Sequence, residues 1–130
     1  MLEKKIITYS LALYLFLLPL FFLPLNFEIF EFNKTLLTFF TTIIILSVWI
    51  SACLRTKRFY IATNFVSWGI VAFSLSQLIS TLTSVDKYLS IWGYYSRFHQ
   101  SILHVLAYLT LYHAAITWTD KKHARFIIKL

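Results

Sequence analysis

Four long stretches without a single Asp, Glu, Lys or Arg set the terms for this chain: residues 6–25, 35–54, 59–83 and 101–118. A helix crossing the hydrocarbon core of a bilayer needs about 20 mainly apolar residues. Each stretch has that length or comes close to it, and short charged turns separate them. Of the 130 residues, 59% are hydrophobic and only 13% charged. A water-soluble domain of this size would have to expose apolar patches well beyond the few hundred Å² that monomers tolerate. The expected fold class is therefore all-α: a polytopic membrane protein with four transmembrane helices and a short amphipathic helix in an outer loop. It reads as one membrane domain over 1–130.

The first run, IITYSLALYLFLLPLFFLPL, is too long for the apolar region of a signal peptide, and no small-x-small cleavage site follows it. Pro24 is expected to end its helix and Pro19 to kink it. The second run is rich in threonine, whose hydroxyl can bond back to a helix carbonyl and so costs little in lipid. The third is the most polar, with Asn64 and Gln77. Its Ala72, Ser76 and Ser80 recur every four residues, a small-residue stripe that lets another helix approach closely. Gln77 beside it reads as glue between helices. Glu28 and Glu31, in the connection 26–34, read as solvated acids and not as a catalytic pair.

The bases assign a direction. Lys4, Lys5, Arg55, Lys57, Arg58, Lys121, Lys122, Arg125 and Lys129 fall on one side of the alternating spans; Lys34, Lys87 and Arg97 fall on the other. Cytoplasmic loops carry the excess of Lys and Arg, so both ends are expected in the cytoplasm. The net charge of +7 is thus a topology signal. Nucleic acid is not an expected partner, because that reading needs a basic face on a soluble module. Cys53 is the single cysteine, which excludes an intramolecular disulfide.

The outer loop, Ser84 to Gln100, holds the richest chemistry. Val85, Leu89 and Trp92 recur at helical spacing, with Tyr88 beside them, as in a short helix lying among headgroups. Gly93 would end it. Tyr94 and Tyr95 suit the interface, ring in lipid and hydroxyl in water. Arg97 follows; its fork can grip the phosphate oxygens of a diphosphate carrier or anchor the next helix to headgroups. A metal site is not expected. His104 and His113 are nine residues apart and point to opposite helix faces, about 180° around at 3.6 residues per turn. His99 and His104 also diverge, and no Cys or carboxylate completes a set. His104 reads instead as an interhelical hydrogen-bonding group or a polar lining of an outer cavity.

The run SVDKYLSIWGYYSRFHQ, after a polar third span and before a leucine- and tyrosine-rich fourth, resembles the N-terminal part of the O-antigen ligase/polymerase superfamily. The matching positions are Ser84, Asp86, Ser90, Trp92, Gly93, Tyr94, Tyr95 and Arg97. The family's next glycine has no counterpart near Gln100. The resemblance implies a multi-pass glycosyltransferase of the GT-C type in the bacterial inner membrane. Such enzymes move glycan from an undecaprenyl-diphosphate carrier to a lipid, glycan or protein acceptor, without metal or other cofactor. Their catalytic arginines and histidine belong to a large outer loop that would lie beyond Leu130, so no catalytic residue is assigned here. The chain is then expected to be the N-terminal portion of a longer enzyme, inactive alone. Arg97, Tyr94, Tyr95 and His99 are the candidates for contact with the carrier or with lipid headgroups. Membrane lipid and an undecaprenyl-diphosphate-linked glycan are the expected partners. The rival expectation is a small non-enzymatic membrane scaffold or accessory subunit. A transporter would need a polar path that Asn64, Gln77, His104 and His113 are too scattered to draw.

Overall fold

The computed structural model describes residues 2–21, 31–59, 61–62, 64–94 and 101–119. They form α1 (Leu2–Leu20), α2 (Glu31–Thr56), α3 (Phe65–Thr83), α4 (Lys87–Trp92) and α5 (Ile102–Trp118). The expected all-helical class holds for these residues.

Side-chain bonds fix the directions of the helices. The Arg55 guanidinium at the end of α2 meets the Glu3 carboxylate at the start of α1, at 3.1 Å. At the other end, the Tyr14 and Thr38 hydroxyls lie 3.1 Å apart. Thr38 donates its one hydrogen to the Lys34 carbonyl, so Tyr14 donates to Thr38. α1 and α2 are thus antiparallel. The Thr8 hydroxyl donates to the Trp118 carbonyl, and the Tyr112 hydroxyl donates to Asn64, so α5 runs against both α1 and α3. One end of the bundle holds the start of α1, the end of α2, the start of α3 and the end of α5. The opposite end holds α4.

The core lies where α1, α2 and α5 meet. Ile7, Leu11 and Tyr14 of α1 pack with Ile45 of α2 and with Leu111 and Ala114 of α5. The α1 positions recur at the three-and-four spacing that puts them on one face. Ala52 and Ala107 are also buried, and their small size keeps the helices close. Polar groups share this interior: Thr35, Thr38, Thr41, Thr42 and His104 are all buried. Hydroxyls bond back four residues, as expected for the threonine-rich run: Thr38 to Lys34, Thr42 to Thr38 and Thr56 to Ala52, at 2.7–2.8 Å. Most of the apolar surface faces outward, including Phe40, Ile43, Ile50 and Leu54 of α2 and Phe65, Trp68, Ile79 and Leu82 of α3.

Some boundaries differ from expectation. α1 ends at Leu20, one residue after Pro19, and not at Pro24. Pro24 lies outside the described residues. α2 already includes Glu31 to Lys34, which lie inside the expected connection. α3 starts at Phe65, not Phe59. Asn64 caps it: its Oδ1 accepts the Ser67 N–H while the Ser67 hydroxyl accepts the Asn64 N–H. Ala72, Ser76 and Ser80 are exposed, and the packed side of α3 carries Ser67 and Ser74, with Gln77 half-buried.

Among the described residues two helices, α2 and α3, are by themselves long and apolar enough to cross a membrane. The other two expected spans fall short. α1 spends its first turn on Glu3, Lys4 and Lys5, leaving Ile6–Leu20, about 22 Å of uncharged helix. α5 has 17 residues, about 26 Å.

Candidate functional site

A cleft of about 530 Å³ opens between α1, α2 and α5 at the end of the bundle that carries α4. Helix ends build it. Leu18 and Pro19 come from the last turn of α1, Glu31, Lys34, Thr35 and Thr38 from the start of α2, and His104 and Tyr108 from the start of α5. Ser101 caps α5, its side chain accepting the His104 N–H at 3.3 Å, and so fixes His104 in the first turn. The imidazole is 2% exposed. Its ring centroid lies 4.6 Å from that of Tyr108 and 5.4 Å from that of Phe39. His104 therefore lines a cavity at the end of the bundle that carries α4.

The lining has a definite chemical character. An ammonium, a carboxylate, hydroxyls and an imidazole meet apolar walls from α1. Such a set can hold the polar head of an amphiphile while its tail stays among exposed apolar side chains. Glu31 stands three residues from Lys34 on the same turn, so the described lining is mixed in sign. Among the described residues no group of three or more His, Cys, Asp or Glu could hold a metal.

The loop residues singled out from the sequence divide into two groups. Tyr94 is described: it follows α4 and is 64% exposed. Tyr95, Arg97 and His99 lie outside the described residues. The other motif positions turn out to build a corner. Asp86 caps α4, its carboxylate accepting the Leu89 N–H at 3.1 Å. The Ser84 hydroxyl donates to the Asp86 carbonyl, and the Ser90 hydroxyl donates to Ser84 at 2.7 Å. Gly93 ends α4 with φ 86°, in a region that L side chains rarely enter. Val85, Tyr88, Leu89 and Trp92 all remain exposed, as suits a helix resting on an interface.

Sequence reasoning missed the α2 side of the cleft. Lys34 and Thr35 fall in an expected connection and an expected span, and nothing in the sequence says that they line a cleft with His104. The signal was present in part: Lys34, Thr38 and Thr42 recur every four residues, a polar stripe on one face of an apolar helix. The chain matches no family model, no curated protein and no solved structure.

Proposed function

We propose that this chain is a four-span membrane bundle whose outer cleft receives the polar head of a lipid-linked glycan carrier, as the N-terminal part of an O-antigen ligase-like glycosyltransferase of the bacterial inner membrane. The observation that carries the reading is the cleft itself: a recess with apolar walls into which Glu31, Lys34, Thr35, Thr38 and His104 bring polar groups, in a bundle whose outside is apolar. In the most apolar windows of α2 and α3, only 28% and 11% of residues are buried. A helix from a soluble core would be mostly buried; these point their hydrocarbon outward. The alternating directions of α1, α2, α3 and α5 bring the weaker spans into the same layer. The same alternation puts Lys57 and Arg58 at one end and α4 at the other, which supports the orientation expected from the bases.

In this reading Lys34 supplies a point charge for a phosphate, and Thr35 and Tyr108 supply hydroxyls. Arg97 adds the bidentate guanidinium expected from the motif. Binding of undecaprenyl diphosphate to the chain in lipid nanodiscs tests the cleft. Saturable binding that weakens about fivefold or more in Lys34→Gln is expected, at about 1 kcal/mol or more for a charge-assisted contact. Binding unaffected by Lys34→Gln and by Arg97→Ala removes the carrier reading.

One observation favours a scaffold or accessory subunit instead. Ala72, Ser76 and Ser80 form a small-residue stripe that faces away from the bundle, open to a helix of another protein. Ala72→Trp separates the readings: it disrupts assembly with a partner helix and leaves carrier binding intact.

A further inference from the structure

α2 and α3 both pack on α5, and a groove runs between them. Its inner part, about 350 Å³, is lined by Leu46 and Trp49 of α2, Trp68 and Val71 of α3, and Leu109 and His113 of α5. A second part, about 570 Å³, shares Leu46, Trp49 and Ile61 and continues past Ile50 and Cys53 to Lys57 and Arg58. The walls are almost wholly hydrocarbon. The Ser67 hydroxyl is engaged by Asn64, and the Thr110 hydroxyl donates to the Leu106 carbonyl. Among the described lining residues only those at the mouth are charged, and with one sign: Lys57 and Arg58 are both exposed. Arg55, by contrast, is held by Glu3. Lys57 lies just past α2 with φ 51°, at the negative end of the helix dipole, where a cation is favoured.

Length identifies the occupant. From Leu46 to Lys57 the helix rises about 17 Å at 1.5 Å per residue. One leaflet contributes about half of a hydrocarbon core roughly 30 Å thick. An apolar groove one leaflet long with two cations at its mouth matches a single phospholipid in both chemistry and dimension. We propose that the groove between α2 and α3 holds one anionic phospholipid, an acyl chain along Leu46, Trp49 and Cys53 and its phosphate at Lys57 and Arg58. The site lies at the opposite end of the bundle from the His104 cleft. It rests on the membrane reading above, not on the carrier reading. Basic pockets between membrane helices on the cytoplasmic side select anionic headgroups in this way.

The test uses the full chain in detergent, with phosphatidylglycerol and phosphatidylcholine of identical chains added and bound lipid read by native mass spectrometry. Phosphatidylglycerol is expected to bind on the order of tenfold more tightly. The double variant Lys57→Gln/Arg58→Gln loses the preference, while Lys87→Gln, at the far end of the bundle, keeps it. Cys53 gives a second readout: its reaction with a maleimide slows when phosphatidylglycerol is added to the wild type and does not slow in the double variant. Equal binding of the two lipids, or a preference that survives in the double variant, overturns the lipid site. Alkaline carbonate extraction separates this from the premise. A chain released into the supernatant overturns the membrane reading itself; a chain that stays in the pellet but shows no lipid preference overturns the groove assignment alone.

Discussion

At the scale of single residues, one amide does more than its position suggests. Asn64 Oδ1 accepts the Ser67 N–H at 2.8 Å, the Ser67 hydroxyl at 2.9 Å and the Tyr112 hydroxyl at 2.9 Å. It starts α3 and ties that start to α5. Asn64→Ala is expected to cost about 1–2 kcal/mol, the upper range for a helix cap, because it also strands the Tyr112 hydroxyl. Asn64→Asp keeps the acceptor and costs less; equal losses in the two variants, read from unfolding of the detergent-solubilised protein, would remove Asn64 from this role. Tyr14→Phe deletes one buried bond to Thr38 and leaves the ring packed. Hydrogen bonds between helices in membranes average about 0.6 kcal/mol, so the loss is expected near that value; a loss of several kcal/mol would mean that Tyr14 holds more than Thr38. Asn64 was read from the sequence only as a polar residue of the third span. The pair Asn64 and Ser67 ahead of an apolar run was a legible cap signal, and it explains why the helix starts six residues later than hydropathy alone suggests.

At the scale of elements, the ends of helices carry the information. Hydropathy found every long helix, because apolar runs without charge are legible in any window. It placed the ends of α3 and α5 at Thr83 and Trp118, where they fall, but missed the end of α1 beside Pro19 and the start of α3 at the Asn64 cap, because such boundaries depend on proline and caps and not on mean apolarity. The short helix at Lys87–Trp92 was legible for a different reason: three residues at helical spacing, closed by the one glycine with positive φ. The cleft was less legible. Its lining comes from three helices, and no pattern within one helix says which faces will meet. The α1–α2 pair adds a pH prediction. The Glu3 carboxyl is held below its ordinary value of 4.5, first by a hydrogen bond from its own backbone N–H and further by Arg55. A depressed acid stabilises the folded state above its unfolded value, and that stabilisation is lost as pH falls through the lower folded value. Glu3→Gln is therefore expected to melt slightly below the wild type at pH 7, and at the same temperature once both are well below pH 4.5. The difference is small because the Arg55 side chain is 76% exposed and water screens the pair. A gap that widens on acidification would contradict the assignment.

For the whole molecule, the arrangement makes sense only against its solvent. Thr38, Thr42 and His104 sit inside while Phe40, Ile43, Ile79 and Leu82 sit outside. In water this distribution would leave the hydrophobic effect largely unused. In hydrocarbon, where lipid tails are as apolar as leucine, small residues and hydrogen bonds inside the bundle are what hold helices together. The burial of Thr38, Thr42 and His104 beside an apolar core was only half legible from the sequence: composition called for lipid, but only the fold shows which faces the polar residues take. The direct measurement is side-specific thiol labelling in intact cells. It uses the Cys53→Ser background with one new cysteine at a time, at Ser90 and at Thr56, and a membrane-impermeant reagent. Ser90→Cys is expected to react from outside, and Thr56→Cys only after the cells are opened. Thr56→Cys labelled in intact cells, or both positions labelled from the same side, would contradict the proposed topology.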